Sequence, residues 1–97
     1  IVAVHGVNGH RSESWTNRDE ATGTTLWLSD VLLERIPSSR VMTFGYSSNP
    51  SVGDLIHASA LRRAARDLLQ QLHAKRALDQ NVPLVFIGHN LGGVVVK

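Results

Sequence analysis

The 97-residue chain has no cysteine, which removes disulfides and cysteine metal ligands from consideration. It has no run of basic residues. Ten Lys and Arg against eight Asp and Glu leave a scattered formal charge of +2, and the pairs Arg62-Arg63 and Lys75-Arg76 read as solvated helix positions, so a nucleic-acid partner is not expected. No apolar stretch in these residues reaches the roughly 20 that a membrane-spanning helix requires, and none of them reads as a signal peptide, although a preceding region could carry either. The five histidines show neither His-x-x-x-His nor His-Glu-x-x-His spacing, so no metal site is expected. There is no Gly-x-x-x-x-Gly-Lys-Ser/Thr loop and no Gly-x-Gly-x-x-Gly fingerprint, so no nucleotide and, more broadly, no cofactor is expected. Aromatic residues are few. Trp15 and Trp27 each adjoin one apolar run, which makes them core or lid anchors rather than a ligand cage. Ser14, Ser47 and Ser48 have no base placed beside them by the sequence.

What remains suits a globular α/β domain, with 42% hydrophobic and 19% charged residues. Ile1-Val2-Ala3-Val4-His5 is β-branched and apolar on both faces, as a central parallel strand requires. Val7 to Thr25 mixes Gly, Asn, Ser and Thr with charges and has no period, which predicts a long loop on the carboxyl end of that strand. Leu26, Trp27, Val31, Leu32 and Ile36 recur at helical steps, with Thr24 or Thr25 as N-cap and Pro37 at the far end, and predict a helix of about three turns. Arg40 to Tyr46 predicts a second strand, closed by Ser47-Ser48-Asn49-Pro50-Ser51. A long helix follows from an N-cap near Asp54, with Leu61, Ala65, Leu68 and Leu72 on one stripe and Arg62, Arg66, Gln70 and Lys75 away from it. Asp79-Gln80-Asn81 ends that helix, and Leu84 to Ile87 predicts the third strand. Strand and helix alternate three times, with no internal repeat or low-complexity tract. Such alternation implies a parallel sheet with right-handed crossovers and helices on both faces.

The chemistry is written in the last fourteen residues, Leu84 to Lys97. An apolar run enters Gly88-His89-Asn90-Leu91-Gly92-Gly93, and a second apolar run leaves it with no polar loop between. Strand, sharp turn and helix in this order are a nucleophile elbow, in which glycines two before and two after the apex remove colliding side chains. The pattern expects serine at the apex, where this chain has Asn90. A carboxamide has no ionisable proton to surrender to a base and its nitrogen is a very poor nucleophile, so Asn90 cannot form an acyl-enzyme. Asparagine does tolerate positive φ, which predicts a retained strained turn, with the side chain exposed above the sheet. The first strand ends His5-Gly6-Val7-Asn8-Gly9-His10. In enzymes of this architecture one oxyanion donor follows the nucleophile and another lies in such a loop, which nominates the backbone N–H groups of Leu91 and Val7. Because an elbow sits at a topological switch point, the strand from Ile1 is expected between the other two. His5 and His89 both end strands and are expected to pack within their loops. His10 is expected to bind backbone or line the pocket, and His57 and His73 to lie on the long helix.

His5-Gly6-x-x-Gly9-His10, Ser14-Trp15, Trp27-Leu28, Thr43-Phe44-Gly45-Tyr46 and Phe86-Ile87-Gly88-His89-x-Leu91-Gly92-Gly93-x-Val95-Val96-Lys97 together resemble the lipase-like serine esterase family. The family includes proteins of animal mitochondria and endoplasmic reticulum and esterase-like domains that precede nucleotide-binding and repeat modules in fungal proteins. The resemblance spans the whole chain. It implies the amino-terminal half of an α/β-hydrolase fold, one partial domain over residues 1–97, with an acid and a catalytic histidine beyond Lys97. It further implies an ester or lipid ligand, fused downstream signalling domains and a mitochondrial or endoplasmic-reticulum setting, while the lack of cysteine and of a targeting segment in these residues favours an intracellular one. The family's serine falls on Asn90, while His5, Gly6, Gly9, Gly88, His89 and Gly92 support the motif.

Overall fold

In the computed structural model, residues 1–47, 58–78 and 80–97 are described. Three short parallel strands form the central sheet: β1 (Val2–Val4), β4 (Met42–Phe44) and β5 (Phe86–Gly88), in the order β4-β1-β5. The β1 strand is the middle one. Val2, Ala3 and Val4 are each at most 1% exposed, which is why this segment has apolar side chains on both faces instead of alternating polarity.

Each face of the sheet is covered differently. Val2, Val4 and Phe44 meet Ala64 and Leu68 of α2 (Ala58–Lys75) and Val95 of α3 (Gly92–Val96). Leu61, Ala65 and Leu72 complete the expected stripe, whereas Arg62, Arg66, Gln70 and Lys75 are exposed. The expected N-cap at Asp54 lies outside the described residues. On the opposite face Ala3 packs against Trp15 and Leu28. The crossover from β1 to β4 thus runs over one face, and the crossover from β4 back past β1 to β5 runs over the other. Opposite directions on opposite faces give both crossovers the same hand, as parallel βαβ units require.

The segment between β1 and β4 departs from the sequence expectation. Instead of a structureless loop it holds a 3₁₀ turn (Glu13–Trp15) and an antiparallel hairpin, β2 (Thr16–Asp19) and β3 (Gly23–Leu26). Asp19 Oδ1 accepts the N–H groups of Ala21 and Thr22 at 2.7 and 3.2 Å and closes the hairpin turn. Most hairpin residues are exposed, so no apolar alternation marks the strands. The expected helix begins later, because Thr24 and Thr25 pair with Arg18 and Asn17 and cannot cap it. Leu28–Leu32 winds as a π-helix and Leu33–Arg35 continues as α1. The start is tied by side chains instead, with Leu26 N–H donating to Asp30 Oδ2 at 2.9 Å and Ser29 O–H donating to the Leu26 carbonyl at 3.2 Å. The wider winding changes which residues face inward: Leu28 is buried, while Val31 and Ile36 are each 44% exposed.

The third strand also begins two residues later than expected, which places Gly88 inside it. Val85 precedes the paired residues and its carbonyl accepts the Val2 N–H at 2.8 Å. The β4 and β5 strands are the edges of the described sheet, and Val85 and Phe86 are exposed along the β5 edge.

Candidate functional site

The register of β1 against β5 determines what meets at their carboxyl ends. Val4 lies opposite Gly88, and the ladder continues with the His89 N–H donating to the Val4 carbonyl at 3.0 Å. Two residues beyond each of that pair come Gly6 and Asn90. They are in contact: a Cβ on Gly6 would lie 2.6 Å from Asn90 Cβ and 2.7 Å from the His89 carbonyl oxygen. Only glycine fits between two backbones this close. Gly92 opens α3 directly against β1, where a Cβ would fall on the Val4 carbonyl oxygen and 2.6 Å from that of His5. Gly88 in turn faces the backbone of Gly93.

Asn90 sits at the turn with φ 52°, in the left-handed region that asparagine enters more cheaply than most residues. The Gly92 N–H donates to the His89 carbonyl at 2.9 Å and the Gly93 N–H to the Asn90 carbonyl at 3.0 Å, so the turn runs without interruption into α3. The Asn90 side chain is exposed, and its Oδ1 accepts the Leu91 N–H at 2.6 Å. Only the carboxamide oxygen can accept from an amide N–H, which fixes the orientation of the group. Its NH₂ has no partner among the described residues.

Gly6 to Gly9 form a tight turn, with the Gly9 N–H donating to the Gly6 carbonyl at 3.1 Å and Asn8 at φ 54°. One positive φ at the third position is the signature of a type II turn. The Asn8-Gly9 dipeptide carries that signal in the sequence. Val7, at the second position, is half-buried, and its N–H has no partner among the described residues.

His5 is 1% exposed and fully engaged. Its Nδ1–H donates to the Gly6 carbonyl at 3.0 Å, while Nε2 accepts the Tyr46 N–H at 3.3 Å. A carbonyl can only accept and a backbone N–H can only donate, so the neutral ring carries its proton on Nδ1. Tyr46 stacks on the ring with 4.5 Å between centroids and 6° between planes, and its hydroxyl donates to the His5 carbonyl at 2.8 Å. Burial raises the Tyr46 phenol above its ordinary pKa. In the sequence Tyr46 stands out only within the Thr43-Phe44-Gly45-Tyr46 motif. Its position just past the Gly45 that follows β4 was the available signal for a residue that fixes the end of β1.

His89 is exposed and lies edge-on to Trp15, with centroids 6.4 Å apart. Trp15 is 5% exposed and also meets Trp27 edge to face at 6.0 Å. Both tryptophans pack as core anchors of this face. His10 is exposed: its Nδ1 lies 3.0 Å from Ser12 Oγ and also accepts the Ser12 N–H at 3.3 Å, while its own N–H donates to Ser14 Oγ at 2.9 Å. Ser14 therefore ties a loop. His73 is an exposed residue of α2, Ser47 is exposed, and His57 and Ser48 lie outside the described residues. No histidine among the described residues is hydrogen-bonded to Asn90. A separate cavity of about 250 Å³ between β4 and α2, lined by Val2, Met42, Phe44, Leu68, Leu72 and Lys75 among others, includes no elbow residue.

No family model matches the chain, and no solved structure matches it. It is similar to Protein SERAC1 of Mus musculus, with 25% identity over 114 residues that cover all of this chain and 17% of the mouse protein. The chain thus spans about a sixth of that relative's length. The similarity is compatible with a hydrolase-like family. Among the described residues no helix is long and apolar enough to cross a membrane.

Proposed function

We propose that the chain is a serine esterase-like, lipase-like α/β-hydrolase domain whose elbow survives as a scaffold without its nucleophile, a pseudoenzyme module that binds an ester- or lipid-like ligand. The observation that carries this reading is Asn90 at φ 52° beside Gly6, at the carboxyl ends of adjacent parallel strands. Acyl transfer requires a hydroxyl or thiol that loses its proton to a base as it attacks. Asn90 has no such proton, and no described histidine is hydrogen-bonded to its side chain. What the geometry retains is donor capacity: the Val7 N–H and the Asn90 carboxamide NH₂ are both without partners among the described residues. Two such donors suit a carbonyl or carboxylate oxygen. The alternative, ester hydrolysis by a longer protein containing this chain, requires a nucleophile other than residue 90.

The test is a titration of the 97-residue chain with ethyl butyrate, followed by NMR. Saturable shifts at the Val7 amide and the Asn90 side-chain NH₂, with the ester intact after the titration, are the expected result. Release of butyrate at enzymatic rates, or shifts scattered without reference to these groups, defeats the reading.

A further inference from the structure

We infer that Asn90 is also the resident occupant of its own elbow donor, so that the Leu91 amide is closed to a ligand oxygen in this protein. This rests on the reading of residues 88–92 as a retained elbow. In a working elbow the N–H after the nucleophile stays free for the oxygen of the reacting carbonyl. Here it is spoken for. The Asn90 Oδ1 accepts it at 2.6 Å, just below the usual N–H to oxygen range of about 2.7 to 3.2 Å.

Three features of the site make this contact more than a passing rotamer. The donor and acceptor are adjacent in the chain, so forming the bond orders only the side-chain torsions of Asn90. The backbone is already held at φ 52° by the turn bonds into α3. The Gly6 backbone lies close on the β1 side, where an added Cβ would come 3.3 Å from Asn90 Cγ. A serine at this position has one oxygen on Cβ and no carbonyl group to reach forward. The substitution therefore does two things at once: it removes the nucleophile, and it supplies an acceptor that substitutes for the substrate's oxygen. On the proposed reading a ligand meets the Val7 N–H and the carboxamide NH₂, the donors without partners among the described residues. It meets Leu91 only after the carboxamide has turned away.

Amide hydrogen exchange at Leu91, measured by NMR on the full chain, tests the inference. Asn90→Gly keeps the left-handed backbone at no steric cost and removes the acceptor. Leu91 exchange is expected to rise roughly three- to tenfold, the range that one net hydrogen bond supports, while Val95 in α3 is unchanged. Asn90→Asp retains an oxygen acceptor in the same place and is expected to keep Leu91 protected. This pair separates the carboxamide contact from a general loosening of the turn, which would expose Leu91 in both variants. Unchanged Leu91 exchange in Asn90→Gly, or equal deprotection in both, overturns the inference. Sodium butyrate then distinguishes it from the reading on which it rests. Restored Leu91 protection in Asn90→Gly but no effect on Leu91 in the unaltered chain supports both. Deprotection by Asn90→Gly with no response to butyrate in either protein leaves the resident contact standing and removes the ligand-binding reading.

Discussion

Two asparagines stand after neighbouring parallel strands at nearly the same φ, Asn8 at 54° beyond β1 and Asn90 at 52° beyond β5. Their surroundings differ. Asn8 is an exposed turn residue whose side chain has no partner among the described residues, and its positive φ meets a local need of a four-residue turn. Asn90 is flanked by glycines that press against other backbone, at Gly6, Gly88 and Gly92, and its carboxamide is used. The same residue type thus solves a local problem at one site and a tertiary one at the other. The difference teaches that left-handed backbone alone does not make the two turns alike. Glycines crowd both, Gly6 and Gly9 around Asn8 as well as Gly88 and Gly92 around Asn90; what sets Asn90 apart is its contact with Gly6 of the other loop and its engaged carboxamide.

The strongest way to break the elbow side of this comparison is Gly92→Ala. The new Cβ falls on the Val4 carbonyl, a central-strand backbone atom that cannot move without disturbing the sheet, so a loss of about 3 kcal/mol or more is expected in urea unfolding. Gly23→Ala is the matched control, since open space surrounds that glycine and only its φ of 83° opposes the change. It is expected to cost about 1 to 2 kcal/mol. Gly6→Ala comes next, at about 1 to 3 kcal/mol. Combining it with Asn90→Gly should recover part of that loss by removing the Asn90 Cβ, though not all, because the His89 carbonyl is also 2.7 Å away. Additive losses in this double-mutant cycle would show that the two loops do not touch.

Tyr46→Phe probes what holds the β1 end in place. It removes the hydrogen bond to the His5 carbonyl and keeps the stacked ring, so a loss of about 1 kcal/mol is expected. The phenol has a raised pKa in the folded chain because of burial. Its contribution is therefore complete below the unfolded value of about 10 and declines as pH rises from there through the folded value. Unfolding measured between neutral pH and pH 11 should show this alkaline loss shrink in Tyr46→Phe. The smallest effect sharpens the original pair. Asn8→Ala and Asn90→Ala both pay about 1 to 2 kcal/mol for left-handed backbone, and Asn90→Ala should cost a further roughly 0.5 to 1.5 kcal/mol for the lost carboxamide bond. Equal losses at the two positions would remove the distinction drawn between them.

The sheet was legible because burial on both faces leaves an unbroken apolar run, as in Val2 to Val4, and because glycines in Gly88-His89-Asn90-Leu91-Gly92 can be read without knowing the fold. The strand order followed from the elbow itself. The hairpin was not legible, since Thr16–Asp19 and Gly23–Leu26 are largely wet and carry no apolar alternation. The helix after it was misplaced for a related reason: Thr24 and Thr25 suit a cap as well as a strand, and only pairing with Arg18 and Asn17 decides between them. Leu28, the most buried residue of that segment, stands four before Leu32 and fits a helical period; a stripe started from Leu26 and Trp27 leaves it out. At the site, the positive φ and exposed side chain of Asn90 were readable from the elbow spacing. The bond between Asn90 and Leu91 depends on a side-chain torsion and was not.

The account's central claim, that residue 90 keeps the elbow but takes no acyl group, is tested most directly by intact-protein and peptide mass spectrometry after incubation with nitrophenyl butyrate. No butyryl adduct on the peptide containing Asn90 is the predicted result, with surface lysines acylated only at the slow rate of free amines. A rapid stoichiometric adduct mapping to residue 90 would contradict it.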